Sequence, residues 1–476
     1  MNNRHLRLTF TVILVIISFI SYSQSIPAVS LEDLITDPAV KYGTIEVPLN
    51  HDAPEGKKIP LGYAIVPAKN ESTGSPVILF TGGPGEFTVR NWQNYSQLPT
   101  VADRDLILFD QRGTGYSSGL YNMGPDVFNI LAGNNTIEEE YQLMENLVIE
   151  YRDSIVDTGL ELKYINTTQN AHDVGRLMDH LDYDKYIFFG GSYGTKIARR
   201  TMDLYPEYVE SSVLMAPATW EEDFLTFRIR NFKRTLGLIL DHCESDSECN
   251  ELYPNLRTDY VEAIQALEKN PIEANINGQP FMINPQDAMY MLRYQLYTPQ
   301  SKTMAPAFIK ALHTRDTASI NASQGFLSFV FNGVNFSMNI SIGKYEEYNE
   351  DLIVENVMEH YDDPLYFPAP IGFFNSIYLA SAKWHNGKAS KDEITFKKSA
   401  IPALILVNKF DPVTPPQNGY DFLSTLSRGQ LLVIDEGGHS GGGMCQWEVV
   451  IEFLSNPSKT VEAGCFRLID KKMGWE

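Results

Sequence analysis

Ser192, Asp411 and His439 are the residues of this sequence whose types and settings can carry out chemistry together. A serine hydroxyl is a poor nucleophile until a neighbouring base removes its proton. An imidazole can take that proton and later return it to a leaving group. A carboxylate fixes the tautomer of the imidazole and stabilises its cation. Such a set transfers acyl groups. Ser192 stands in Gly190-Gly191-Ser192-Tyr193-Gly194, whose glycines leave room for a sharp strand-to-helix reversal that pushes the hydroxyl outward. Asp411 follows one apolar strand pattern, in Asn408-Lys409-Phe410-Asp411-Pro412, and His439 follows another, in Glu436-Gly437-Gly438-His439-Ser440. The attacked carbonyl oxygen becomes an anion and needs donors. The amide of Tyr193, at a helix N-terminus, is one candidate. Gly82-Gly83-Pro84-Gly85 offers the other, and because proline has no N–H the candidate there is Gly83. This chemistry calls for no cofactor and no metal.

These residues need elements to hold them. Tyr186-Ile187-Phe188-Phe189 reads as a short buried strand, and the residues after Gly194 as a helix. Segments 75–80, 105–110, 211–215, 401–407 and 430–434 are further apolar strands, several of them ending in glycine-rich loops. Segments 41–49 and 58–66 read as an antiparallel hairpin at a sheet edge, and 169–181 has helical periodicity. The alternation predicts an α/β fold with a mostly parallel sheet, whose sites gather at the strand C-terminal ends. From 219 to 399 the pattern turns helical, with helices expected over 224–240, 260–268, 285–297 and 306–314. The strand pattern then resumes. The expected organisation is a core over 35–218, a mainly helical cap insertion over 219–399, and the second part of the core with a C-terminal tail over 400–476.

The chain has 476 residues, 43% of them hydrophobic and 21% charged, which fits an ordinary globular protein with a large core. Its formal charge of −22 argues against nucleic acid or an anionic membrane as partner. Arg4, His5 and Arg7 precede an apolar run over 8–20 and the small residues Ser21 and Ser23, the pattern of a signal peptide over 1–23. An uncleaved anchor is the alternative; no later stretch reaches the ~20 apolar residues of a membrane span. Export, to periplasm or medium, would let disulfides persist. The four cysteines allow three pairings, and the expectation is the local one, Cys243 with Cys249 and Cys445 with Cys465. A metal site is the poorer reading, since no Cys-x-x-Cys or paired histidines accompany them.

Several motifs together resemble the prolyl aminopeptidase and tripeptidyl aminopeptidase family of α/β-hydrolase serine peptidases. They are Gly82-Gly83-Pro84-Gly85, Asp110-Gln111-Arg112-Gly113-Thr114-Gly115-Tyr116-Ser117, Gly190-Gly191-Ser192-Tyr193-Gly194, and the tail from Gly438-His439 through Cys445 to Cys465. The order serine, aspartate, histidine is also that of an α/β-hydrolase triad. The likeness covers 41–218 and 400–468, and it departs at Thr81, Glu86 and Lys196, the last two of which would reshape the pocket mouth. The resemblance implies an α/β-hydrolase fold and an aminopeptidase of prolyl or tripeptidyl type, acting on peptides and holding the substrate ammonium with acidic cap residues. Glu221 and Glu222, and Glu350 with Asp351, stand where such residues would be; solvated acidic helix faces are the other reading of both pairs. The same triad would equally serve a secreted esterase or amidase on small non-peptide substrates. A catalytically silent binding protein on this fold is the third reading. Which peptide is cut, and in what oligomeric state, is not written in these motifs.

Overall fold

A computed structural model describes residues 29–72, 74–117, 119–220, 224–276, 278–323, 325–349, 363–369, 375–441 and 443–462. The expected signal peptide, both expected acidic pairs and Cys465 lie outside the described residues. Eight strands form the main sheet, in the order β1-β2-β4-β3-β5-β6-β9-β10. Strands β1 (Lys41–Pro48) and β2 (Lys58–Val66) are the antiparallel edge hairpin, and β2 also runs antiparallel to β4 (Leu106–Phe109). Every other pairing is parallel: β4 with β3 (Val77–Phe80), then β5 (Tyr186–Gly191), β6 (Val209–Met215), β9 (Ala403–Asn408) and β10 (Gly429–Ile434).

The central strands are apolar on both faces because both are covered. Ile78, Phe80, Ile107, Phe109 and Phe188 pack into one cluster, while Val77, Leu79, Leu106, Leu108, Ile187 and Phe189 pack into another on the opposite face. That is the two-residue period of a strand sorting neighbours to opposite sides. Each such side chain contributes roughly 1.5–3 kcal/mol by leaving water. The helix Thr167–Leu181 leads into β5 and packs beside the helix Gly194–Leu204, which follows β5 at once.

Between β6 and β9 the helices Phe224–Ser245, Leu256–Lys269, Pro285–Gln295, Ala305–Thr314 and Phe336–Glu346 are the main elements. A small antiparallel pair, β7 (Ile272–Ile276) and β8 (Gln279–Ile283), interrupts them. This hairpin sits within the segment expected to be mainly helical, an expectation that includes no strand there. Its signals are in the sequence: alternating burial along β7 and an Asn277-Gly278 dipeptide, a pairing favoured in tight hairpin turns.

The Asp110-Gln111-Arg112 stretch after β4 is structural cement. Arg112 uses all of its nitrogens: it binds Asp173 through Nε and Nη2, and the carbonyls of Leu49, Tyr164 and Pro48. Asp110 accepts from the amides of Thr88 and Val89 on one oxygen and of Tyr116 on the other, each at 2.9 Å. Gln111 donates to the carbonyl of Thr81 at 2.9 Å. Together they tie down the loop that follows β3. Cys243 and Cys249 are joined, and Cys445 is also disulfide-bonded.

Candidate active site

The turn after β5 carries Ser192 at φ 52°, a left-handed conformation that costs a serine about 1–2 kcal/mol and survives only where its surroundings enforce it. They do so by close packing. A Cβ on Gly194 would sit 2.0 Å from the carbonyl oxygen of Phe80, and one on Gly82 would sit 3.2 Å from the Cβ of Ser192. The Ser192 amide is held by the carbonyl of Met215, at 2.9 Å. Its carbonyl accepts from the Thr195 amide and hydroxyl, at 3.0 and 2.6 Å. No side chain caps the following helix at Tyr193; the amides of Thr195 and Lys196 are taken by the Ser192 and Tyr193 carbonyls, at 3.0 and 2.9 Å.

Ser192, His439 and Asp411 come together in one hydrogen-bonded chain. Ser192 Oγ lies 3.0 Å from His439 Nε2, and His439 Nδ1 lies 3.0 and 2.9 Å from the two oxygens of Asp411. An ionised carboxylate only accepts, so Nδ1 carries the proton and Nε2 is left free to accept from the serine. Asp411 is wholly buried and anchored from its own loop. The amides of Val413 and Thr414 donate to Oδ1 at 2.7 and 2.8 Å, and the Thr414 hydroxyl to Oδ2 at 2.7 Å. Burial pushes its carboxyl up, but His439 and the Thr414 donors outweigh that and hold it below its usual range. It therefore stays a carboxylate beside the imidazole.

Gly83 and Tyr193 both line the cavity that contains Ser192 and His439, which has a volume of about 510 Å³. Next to Gly83, the Gly82 amide is engaged by the carboxyl of Glu86, which also accepts from the Tyr95 hydroxyl. Burial raises the Glu86 carboxyl above its ordinary value. Lys196 also lines this cavity, is buried, and pairs with Glu347, its ammonium 5.5 Å from the centre of the Trp220 ring. All three departures from the family pattern, Thr81, Glu86 and Lys196, thus lie in the cavity wall. Among the described residues no cluster of three or more His, Cys, Asp or Glu side chains could hold a metal.

Four neighbours of the chain were not singled out by sequence. Thr414 braces Asp411, and Tyr297 sets its ring edge-on to His439, centroids 5.1 Å apart. Arg234 and Thr235 donate to the carbonyl of Asp411 from the helix Phe224–Ser245. Thr414 has a local signal, since a hydroxyl three residues after an aspartate commonly turns back to it. The others come from a distant segment, and nothing local marks them.

An α/β hydrolase fold family matches residues 75–301, and a TAP-like protein family matches 373–465. The chain has the α/β-hydrolase fold. It is 27% identical over 205 residues to Serine protease Hip1 of Mycobacterium tuberculosis, covering 40% of this chain and 38% of that protein. It is 25% identical over 192 residues to the Tripeptidyl aminopeptidase of Streptomyces lividans, covering 37% of this chain and 35% of that one. The chain therefore spans little more than a third of the length of either peptidase. The Putative hydrolase YuaR of Escherichia coli matches more fully, at 23% identity over 90% of this chain and 89% of that protein. Among solved structures, a thermophilic esterase from Thermogutta terrifontis matches at 13% identity and a TM-score of 0.38, over 88% of this chain and all of that one.

Proposed function

We propose that this α/β-hydrolase is an exported serine aminopeptidase that releases residues or short peptides from peptide N-termini through an acyl-enzyme on Ser192. The observation that carries the reading is the unbroken chain from Ser192 through His439 to buried Asp411, with hydrogen-bond distances near 3 Å at both links. In the proposed cycle His439 Nε2 takes the Ser192 proton as Oγ attacks the scissile carbonyl. The amides of Gly83 and Tyr193 receive the oxyanion. His439 then gives its proton to the departing amine, and a water activated by the same imidazole releases the acyl group. Likeness to two relatives named as peptidases, and to a TAP-like family over 373–465, favours peptides over small esters. Export is supported by the Cys243–Cys249 bridge, a bond that persists in oxidising compartments. Among the described residues no helix is long and apolar enough to cross a membrane.

Recognition of the free N-terminus is assigned to Glu221-Glu222 or Glu350-Asp351. Acetylating the substrate removes its ammonium and leaves the carboxylates that would receive it unpaired, a loss of about 3–5 kcal/mol if they are desolvated around the bound substrate, or a hundredfold and more in kcat/KM. Matched free and N-acetylated peptide anilides test this. Strong preference for the free amine is expected. Equal hydrolysis would reject the aminopeptidase and favour the esterase or amidase.

A further inference from the structure

The cavity beside Ser192 contains a buried arginine that the protein leaves largely unanswered. Arg293 lies on the helix Pro285–Gln295, every residue of which is buried, and is itself only 2% exposed. A guanidinium is always charged and carries five N–H donors, so burying one without an anion is costly. Other buried arginines of this chain have their anions. Arg112 has Asp173 and three carbonyls, and Arg199 has Asp203 at 3.7 Å. Arg293 has no carboxylate partner among the described residues. Its Nη1 donates to the Tyr297 hydroxyl at 3.2 Å, and its Nε has no acceptor. What surrounds it is aromatic: its guanidinium carbon lies 5.9 Å from the centre of the Tyr294 ring and 5.6 Å from that of Tyr297.

The position matters as much as the missing anion. Arg293, Tyr290, Tyr294 and Tyr297 all line the cavity that holds Ser192 and His439. Tyr297 packs edge-on against His439, so the guanidinium is one aromatic ring removed from the imidazole that serves the leaving group. We infer that Arg293 is a subsite for a substrate carboxylate on the leaving-group side. A carboxylate is the anion whose planar pair of oxygens fits the guanidinium fork. On a peptide, the leaving portion ends in such a group only a few bonds from the scissile amide when the substrate is short. The protein would then select short, free-acid peptides over long or C-terminally blocked ones. The inference rests on Ser192 as nucleophile, but not on recognition of the N-terminus.

The test compares alanine di-, tri- and tetrapeptides with their C-terminal amides. Wild type should favour the acids at least tenfold in kcat/KM. R293Q should raise KM for the acids by about tenfold to hundredfold, the scale of one charge-assisted contact, and bring the acid-to-amide ratio near one. A wild type that cuts acids and amides alike overturns the subsite, as does an R293Q that loses both in equal proportion. Should R293Q not fold, R293K keeps the charge and loses the fork; it should lower the ratio, and an unchanged ratio overturns the proposal. Wild-type turnover of p-nitrophenyl acetate, abolished by S192A, reports the nucleophile separately. Ester turnover without acid preference removes only the subsite, whereas an inert wild type removes both.

Discussion

Replacing Asp411 by asparagine perturbs one proton and little else, and the surroundings dictate which way the new amide must face. Oδ1 accepts from two backbone amides, of Val413 and Thr414. An NH2 group there would meet two donors that cannot turn away, so the asparagine carbonyl has to occupy that place. Its NH2 then takes the position of Oδ2, facing the Thr414 hydroxyl and His439 Nδ1. The hydroxyl can rotate and accept. The imidazole can accept only by moving its proton to Nε2, and a protonated Nε2 cannot receive the proton of Ser192, 3.0 Å away. The expected loss in kcat is therefore that of a wrong tautomer, about 10⁴-fold or roughly 5 kcal/mol of barrier. The packing is unchanged in volume, so the unfolding free energy from urea titration should fall by no more than about 1 kcal/mol. Initial rates on a chromogenic ester and an aminoacyl anilide, beside urea titrations of the same preparations, give both quantities. A variant that keeps a tenth of wild-type kcat would refute the reasoning, because it would show that His439 works without Asp411 fixing its tautomer.

Three further outcomes follow from the structure. Glu347→Ala strands Lys196, whose side chain is only 5% exposed, and should destabilise the fold by about 3–5 kcal/mol in urea; an unmoved midpoint would show that the pair does not hold the cavity wall. Cys243→Ser opens a bridge between residues only six apart, so the loss should be small, about 2 kcal/mol, with non-reducing peptide mapping of wild type finding Cys243 joined to Cys249. Burial raises the Asp110 carboxyl from 3.8 to about 6, against the pull of the Tyr116, Val89 and Thr88 amides. Over that window the folded protein binds the extra proton, so its contribution to stability should fall by about 2 kcal/mol as pH rises from ~4 to ~6, and by about 3 kcal/mol in all once pH passes ~7. Asp110→Asn should flatten that slope, and an identical slope in the variant would assign it elsewhere.

What could be read from the sequence was whatever is specified within a few residues. The turn at Ser192 is legible because glycines on both sides of a serine, between a strand run and a helix run, mark a sharp reversal within a few residues. The central strands are legible because burial on both faces leaves them almost purely apolar. Asp411 and His439 could be placed because each follows such a strand directly. Contacts between distant segments left no local trace. Arg293 looks like any helical arginine; Tyr290, Tyr294 and Tyr297 stand close to it in sequence, but only the fold shows that its helix is buried all round and that no described carboxylate reaches it. The two acidic pairs chosen near 221 and 350 have the same weakness, since spacing alone does not tell a solvated acidic face from a binding pair.

The helical segment between β6 and β9 does more than roof the cavity, because it is hydrogen-bonded to the aspartate, histidine and glycine loops that the proposed reaction uses. Arg234 donates to the carbonyls of Lys409 and Asp411, so the aspartate loop is held from outside the sheet. The Tyr297 carbonyl accepts from the Ser440 amide at 2.7 Å, and a Cβ on Gly438 would strike the Leu296 carbonyl at 2.5 Å, so the histidine loop is seated against the same segment. The Asn335 amide donates to the Gly85 carbonyl at 2.8 Å, and the Asn335 side chain to the carbonyl of Leu120, also at 2.8 Å, which fixes the glycine loop. A segment that swung open as a rigid lid would break all of these bonds at once. Each is worth about 0.5–1.5 kcal/mol net, and the carbonyls and amides left behind would cost more where water cannot reach them. Substrate entry by whole-segment opening is therefore disfavoured relative to motion of shorter stretches that make fewer such bonds. Specificity and catalysis are mechanically joined here: a substitution at Tyr297 or Arg234 should change the alignment of His439 or Asp411 as well as the shape of the pocket.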